Sequence, residues 1–396
     1  MIRIKQPAME YLKDYCRVIC DIQIDDELHS IWFQVEKEYG KYLCTERADA
    51  YVIGLLSYAM RNGHDIYCDV PITDELLYGI EQDLIPTLSK YSKKLQHIKI
   101  DAKTAPALKC GFAVGTSASF GVDSFSSIYN HIDSKFSDLN LTHLCINNVG
   151  AFNECYADYG VQNVKNERYV IAEQIAAELG LPLVKTDSNF ADEIYQNHLL
   201  THTYSSVFAI YILQKLWKVY YLASSGEDYS NFSVYKSEKK DCALYDLLSL
   251  QCFSTSGLKI WSEGGAKTRL EKTKEIVSYM PAQKHLHVCL NKPYNCGICS
   301  KCRRTLVTLD LLDSLDLFDG TFDIAYYRAN KKEYYAWLCY NHFIHDAMNE
   351  PVYQEFMKQL PFRLYACVEY VKNVFKAPFR FAMRVLRFVK RKLFDK

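Results

Sequence analysis

The sequence lacks the features of several specialised protein classes. Glycine and proline are scarce, at 16 and 10 of 396 residues, and there is no internal repeat or low-complexity stretch. With 49% hydrophobic and 24% charged residues, the composition excludes a disordered or fibrous protein. It is typical of a globular chain long enough for a large core and two or three structural parts.

Net charge and long apolar runs are also absent. The 47 basic and 47 acidic residues cancel, so no overall field attracts the protein to nucleic acid. No run reaches the roughly 18 apolar residues of a spanning helix. The nearest, residues 205–222, is interrupted by Gln214, Lys215 and Lys218. We therefore expect a protein that does not cross a membrane.

Residues 1–7 lack an apolar secretion signal. A cytoplasmic protein with reduced thiols is therefore expected, rather than a disulfide framework, despite the 15 cysteines. Eleven of these are scattered and are expected to pack in cores, whereas four cluster around Cys296.

Residues 1–105 are predicted to form a mixed α/β cap. Strand patterns occupy residues 30–35, 65–70 and 97–100, and helix patterns occupy residues 48–60 and 73–91. No catalytic pattern is recognisable in this part. We expect it to widen a central sheet or to frame a substrate pocket, with partner binding as the alternative.

Residues 106–310 alternate between strands and helices, which favours a Rossmann-like parallel sheet in an α/β fold. Strands are predicted at 112–115, 141–146, 183–187 and 219–223 with a fifth within 254–265, and helices at 166–179 and 204–217. Ligands of such sheets lie outside the carboxyl ends of the strands. Four segments should therefore converge at the carboxyl ends of the strands: residues 119–124, 147–150, 187 and 225–228. We expect ATP to bind at this edge of the sheet.

The segment Ser119-Phe120-Gly121-Val122-Asp123-Ser124 connects the first of these strands to a helix. Backbone N–H groups and the positive helix end favour phosphate at such a bend. The predicted nucleotide-binding residues are Ser117, Ser119, Phe120, Gly121, Val122, Asp123 and Ser124, with Gly226 after the fourth strand. A serine-rich N-cap is the alternative interpretation.

Two residues of this segment raise specific questions. A carboxylate at Asp123 is repelled by phosphates unless a cation such as Mg²⁺ intervenes or the side chain turns inward to cap the loop. A side chain at Phe120 would crowd the phosphates, and a left-handed backbone there would cost about 1 kcal/mol.

Charged residues elsewhere are candidates for catalysis. Lys267, Arg269, Lys272 and Lys274 lie at the start of a predicted helix, where they would offset charge that develops during adenylation or would form a solvated basic face. Glu227 and Asp228 are candidates for a metal ion or a ribose, or are ordinary turn residues.

Four cysteines have the spacing C-x6-C-x2-C-x2-C, at Cys289, Cys296, Cys299 and Cys302. Four thiolates close around one tetrahedral zinc ion and leave no position for water, which predicts a structural ion. Gly297 would permit the tight turn. An iron–sulfur cluster is the alternative, and coincidental core cysteines are the third interpretation.

The loop and the cysteine cluster together resemble the PP-loop ATP pyrophosphatase superfamily, in particular 7-cyano-7-deazaguanine synthase. The S-G-G-x-D-S loop of the superfamily aligns with residues 119–124, and Thr273-Lys274-Glu275-Ile276-Val277 stands where the family has T-K-x-x-I. The resemblance covers about residues 110–310. It implies ATP, Mg²⁺, one zinc ion and conversion of a carboxylate to an amide or nitrile through an adenylate.

This chain departs from that family at Phe120, in the cap and at its end. It looks like the divergent relatives found in defence and surface-carbohydrate gene clusters. The resulting hypothesis is an ATP-dependent ligase with catalytic residues Asp123, Lys274 and Arg269, acting on a small acyl substrate and an amine donor. A nucleotide-binding scaffold or sensor, in which Phe120 blocks turnover, is the alternative, and a homodimer is left open.

The end of the chain is predicted to be helical over residues 311–360 and to form a basic amphipathic helix over residues 361–396. Ten Lys or Arg residues stand there against Glu369 and Asp395. Such a helix fits an anionic membrane surface or a partner groove, and self-packing is the alternative. Its broad apolar face argues against nucleic acid.

Overall fold

The computed structural model describes residues 1–154, 160–194, 197–225, 228–238 and 240–358. These residues contain thirteen strands: β1 (Ile2–Ile4), β2 (Ala8–Tyr11), β3 (Tyr15–Ile24), β4 (Glu27–Glu36), β5 (Ile66–Cys68), β6 (Ile72–Thr73), β7 (Ile100–Asp101), β8 (Thr104–Ala105), β9 (Ala113–Ser117), β10 (His143–Asn148), β11 (Leu183–Ser188), β12 (Trp217–Ala223) and β13 (Lys259–Glu263).

The same residues contain fifteen α-helices: α1 (Asp49–Asn62), α2 (Asp74–Gly79), α3 (Ile85–Tyr91), α4 (Val122–His131), α5 (Val161–Glu178), α6 (Phe190–Glu193), α7 (His202–Ile212), α8 (Asp228–Asn231), α9 (Val234–Ser237), α10 (Asp246–Phe253), α11 (Arg269–Ile276), α12 (Met280–His285), α13 (Ser300–Leu311), α14 (Ile324–Phe343) and α15 (Glu350–Lys358). A π-helical turn, Ile80–Leu84, joins α2 to α3.

Eleven strands form one sheet in the order β13-β12-β9-β10-β11-β4-β3-β1-β5-β7, with β2 paired to β3. The five strands from β13 to β11 are mutually parallel. Strand β4 then joins β11 in the antiparallel sense, and β3 pairs antiparallel with both β4 and β1. The cap therefore widens the central sheet. A mixed α/β fold with a largely parallel sheet is confirmed.

Two apolar cores lie against this sheet. One contains residues from both sides of position 105, including strands β3 and β4, helix α1 and helix α7. The other surrounds α4 and the cysteine cluster and includes helices α13, α14 and α15. The second core is what fixes the loop after β9 relative to the cysteines.

The observed elements differ from the predicted ones in several places, including the short strands β6 and β8 and the π-helical turn within the predicted helix 73–91. Helix α7 ends at Ile212, and Trp217 opens strand β12 instead of closing the predicted helix. Strands β1, β2 and β3 were not predicted, although side chains alternate between buried and partly exposed along β3. Within the described residues, none of the helices has the length and apolar character that crossing a membrane requires.

Candidate functional site

A cavity of 360 Å³ opens where β9 ends and α4 begins. Its walls come from the loop between these elements, the end of β10, helix α5, the start of α7, and residues 287–290. The carboxyl ends of β9 and β10 therefore meet at this cavity, as the sheet pattern predicts.

The loop after β9 is held in place by its own hydrogen bonds. The Ala118 amide donates to the Cys145 carbonyl at 2.7 Å, and the Ser124 hydroxyl donates to the Ser117 carbonyl at 2.6 Å. Gly121 is the N-cap of α4, so the helix begins at the cavity wall. Among the predicted nucleotide-binding residues, Ser117, Ser119, Gly121, Val122 and Asp123 line the cavity, whereas Ser124 closes the loop behind it.

Phe120 does not line the cavity. Its backbone is left-handed, with φ of 56°, and its ring is fully buried beside Phe125 at a centroid distance of 5.5 Å. The Phe120 carbonyl accepts a hydrogen bond from the His287 amide at 2.9 Å. Left-handed backbone costs a non-glycine residue about 1 kcal/mol, and burial of the ring offsets that cost. The ring therefore turns away from the space that phosphates would occupy.

Asp123 is neutralised by cations of the protein. Its Oδ2 lies 2.7 Å from the Arg269 guanidinium, and its Oδ1 lies 3.7 Å from the Lys272 ammonium. The carboxylate is thus paired with side chains of α11, and its repulsion of a bound anion is reduced. Asp123 and Arg269, which were predicted to act separately, form one ion pair at the cavity wall.

The cations predicted on α11 have different environments. Thr268 and Glu271 form a capping box that starts this helix at Arg269. Lys272 is only 1% exposed, and its ammonium donates to the Ser224 carbonyl at 2.7 Å. Lys274 is exposed and is not part of the cavity wall. The buried lysine of this helix is therefore Lys272.

Two further cations at the cavity were not among the predicted site residues. Arg168 of α5 is buried, and its Nη2 donates to the Ser119 carbonyl at 2.7 Å. Lys301 of α13 also lines the cavity. No local pattern marks either residue, because both lie on helices far from the loop in sequence.

Two histidines line the same cavity, His198 and His287. Burial lowers the pKa of each imidazole to about 4, with His202 and Arg168 respectively adding repulsion. Both imidazoles are therefore neutral near pH 7. The fixed positive charge of the described cavity wall comes from Arg168, Arg269 and Lys301, and Asp123 is its single carboxylate.

Only some of the other predicted site residues lie at the cavity. Asn147 lines the cavity, but Asp187 accepts hydrogen bonds from Asn148 and Lys165, each at 2.7 Å, and does not line it. Gly226 and Glu227 lie outside the described residues, as do the side chain of Asp228 and the whole of the predicted tail, 361–396.

The four predicted cysteines form a compact group. The Sγ atoms of Cys289, Cys296, Cys299 and Cys302 all lie within 4.8 Å of one another. Gly297 has φ of 73°, a left-handed turn that glycine adopts without strain. These four thiols could hold one metal ion such as zinc.

The cysteine cluster is continuous with the cavity. Cys289 and Leu290 line the cavity, and Lys301 lies between the ligand candidates Cys299 and Cys302. Backbone amides also point at the sulfurs, from Asn291 to Cys289 at 3.3 Å and from Cys302 to Cys299 at 3.5 Å. An ion at the cluster would therefore fix one wall of the cavity.

A second group of metal-ligand side chains, His202, Asp241 and Cys242, is also compact. Here the imidazole Nε2 lies 2.7 Å from the Asp241 carboxylate, which also accepts the Ala243 amide at 2.9 Å. Asp241 caps the 3-10 turn Cys242–Tyr245 in this arrangement. The three side chains thus satisfy one another by hydrogen bonds.

The chain has no match among protein-family models, and neither a curated protein nor a solved structure matches it significantly. The assignment of function therefore depends on the geometry of the site alone.

Proposed function

We propose that the protein is an ATP-dependent ligase of the 7-cyano-7-deazaguanine synthase-like type. A carboxylate or amide oxygen of the substrate attacks the α-phosphorus of ATP, and pyrophosphate leaves. Ammonia or an amine then attacks the activated carbon, and AMP leaves with the oxygen. Transfer of the acyl group to nitrogen completes the reaction.

The observation that carries this proposal is the charge of the first cavity. Three cationic side chains face it, Arg168, Arg269 and Lys301, and its one described carboxylate is already paired. The N-terminus of α4 opens onto the same space. Three cations against one carboxylate give the described wall a net positive charge, and a helix N-terminus adds to it, which suits a triphosphate.

The order of the parallel strands supports a Rossmann-like assignment. Numbered along the chain from β9, the strands lie in the order 3-2-1-4-5. This is the order of doubly wound sheets, which bind nucleotides beside the first strand where the order reverses. The loop of residues 117–124 follows that strand.

Each residue at the cavity has a distinct expected role. Amides at the start of α4 and the Ser119 hydroxyl would bind the pyrophosphate that leaves. Arg269 and Lys301 would offset the charge that develops on it. Lys274, exposed and away from the cavity wall, is assigned no contact with the nucleotide.

The described residues at the cavity offer ligands for one of the two expected metals, zinc, but not for Mg²⁺. The Cys289, Cys296, Cys299 and Cys302 thiols suit a structural zinc ion, which would hold the wall that carries Lys301. Asp123 is committed to Arg269 and Lys272, so the described wall offers no free carboxylate for Mg²⁺. Magnesium would arrive on the phosphates of ATP, where it screens their charge.

The scaffold or sensor alternative depends on a ring at Phe120 that blocks the phosphates. That ring lies in the core beside Phe125. The ligase is therefore the function that the geometry favours.

Calorimetry with MgATP tests the nucleotide site on which the proposal depends. Wild type should bind MgATP, and Arg269→Met should weaken binding about tenfold by the loss of one charge-assisted contact. Lys274→Met is the matched control, since it removes a cation from the same helix outside the cavity. Absence of MgATP binding by wild type, or a larger loss in Lys274→Met than in Arg269→Met, would refute the assignment.

A further inference from the structure

A second cavity, of 670 Å³, lies next to the first. Arg269 lines both of them, so the two spaces share one wall. The second cavity is bounded by Ser225 after β12, the segment around α9, and the turn between α14 and α15. Its volume is that of a pocket for a small organic molecule.

The charges of this second cavity are unevenly satisfied. Asp241 is paired with His202 at 2.7 Å, and Asp346 accepts the Met348 amide at 3.0 Å. Lys236, Lys240 and Arg269 also line the cavity, so its described lining carries three cations against these two carboxylates. The net charge of the lining is positive, which favours an anion.

One part of the lining is aliphatic. It includes Leu244, Ile344, Met348 and Pro351, and the described lining has no Phe, Tyr or Trp. Ile344 and Met348 are 54% and 40% exposed, so this turn presents apolar surface that a ligand can cover. An aliphatic body would bury this surface.

The turn that carries these apolar residues follows helix α14. His345 lines the cavity with a left-handed backbone, φ of 57°. His345 directly follows the C-cap of α14, and its amide donates to the His342 carbonyl while the Asp346 amide donates to the Asn341 carbonyl, each at 3.0 Å, as in a common helix C-terminal turn. The turn is therefore held in a defined shape.

We propose that the second cavity binds the acyl substrate of the ligase, and that this substrate is an aliphatic carboxylate. Lys236 and Lys240 attract the carboxylate, the aliphatic wall receives the chain, and Arg269 lies where the carboxylate meets the first cavity. The inference rests on the proposed function, because it needs ATP in the first cavity.

The test uses octanoate and its uncharged analogue octanamide as probes, with ligand-observed NMR titration of the full chain. Wild type should bind octanoate about tenfold more tightly than octanamide. The double variant Lys236→Met, Lys240→Met should lose that preference and keep its affinity for octanamide and MgATP. The control, Lys13→Met with Lys103→Met, removes two exposed lysines that do not line the cavity and should behave as wild type.

A second variant examines the aliphatic wall. Ile344→Asp lies on an exposed turn and should weaken both probes while MgATP binding remains. Equal binding of the two probes to wild type, or a preference that survives loss of both lysines, overturns the inference while MgATP binding still stands. Absence of MgATP binding overturns the proposed function and this inference with it.

Discussion

The loop of residues 117–124 and the cysteine cluster lie side by side at one cavity, yet they are held in different ways. The loop is fixed by the protein itself, through the buried Phe120 ring and the hydrogen bond from Ser124 to Ser117. The cluster includes residues 290–299, a stretch without helix or strand. Leu290, Tyr294 and Ile298 of this stretch are exposed.

This difference indicates which of the two regions needs a bound ion for its stability. The four thiols contact the second core, in which Cys289 and Cys302 are buried, but the segment 290–299 that joins them has no helix or strand to hold them together. Metal coordination supplies that stability in small cysteine-rich segments. The loop should therefore keep its shape without a ligand, whereas the cluster should depend on its ion.

The largest expected effect comes from removing a thiol of the cluster. Cys299→Ser or Cys302→Ser should lower the free energy of unfolding by roughly 4 kcal/mol or more, because the ion is lost. Urea denaturation and elemental analysis measure the two effects. Cys110→Ser, an exposed cysteine outside the cluster, is the control. Wild type without stoichiometric metal would contradict the expected dependence of the cluster on an ion. Strong visible absorption would show that the bound group is an iron–sulfur cluster and not zinc.

A smaller effect is expected from Phe120, and it separates packing from backbone strain. Phe120→Ala should cost roughly 3 kcal/mol by leaving a cavity. Phe120→Gly removes the same ring but relieves the left-handed backbone, so its loss should be about 1 kcal/mol smaller. Urea denaturation of both variants gives the difference.

The matched pair is at Phe208, a buried residue within α7. Phe208→Gly should lower the free energy of unfolding by about 1 kcal/mol more than Phe208→Ala, because glycine destabilises a helix. If alanine were also better than glycine at position 120, the loop would not be under strain.

A double-mutant cycle on Asp123 and Arg269 should show a coupling of about 1–2 kcal/mol in unfolding free energy. Their side chains are only 21% and 14% exposed, so water screens them weakly. The exposed pair Arg328 and Asp316, at the similar distance of 2.8 Å, should give about 0.5 kcal/mol or less. Equal couplings would mean that the loop is not held by its ion pair.

The last effect is on pH dependence, and it is small between neighbouring pH values. The pKa of His198 falls from 6.5 to about 4 on folding, because burial disfavours its charged form. The unfolded chain therefore takes up a proton between these pH values while the folded chain does not, and stability falls as the pH decreases through this range. The loss is at most about 1.4 kcal/mol per pH unit. Urea denaturation of wild type and His198→Gln should show a shallower dependence in the variant, and equal slopes would contradict it.

Much of the parallel sheet could be predicted because its strands are short apolar runs that alternate with helices. The cysteine cluster could also be predicted, since its ligands are local in sequence. Strands β1 to β3 were missed although a signal was present. Cys16, Val18, Cys20, Ile22 and Ile24 are all buried at a spacing of two along β3.

The choice among the cations of α11 could also have been made from sequence. The capping box of Thr268 and Glu271 fixes the start of the helix. Arg269 and Lys272 then lie three residues apart on one face, while Lys274 points elsewhere. By contrast, Arg168 and Lys301 reach the cavity only through the packing of α5 and α13, and no local pattern encodes that.

The antiparallel junction of β4 with β11 has a practical consequence for dissecting the protein. A fragment that starts at residue 106 would leave the backbone of β11 unpaired along one side and strip its core of the partners supplied by β3, β4 and α1. Such an exposed border invites self-association. The part of the chain that contains the parallel strands is therefore best expressed with the first hundred residues attached.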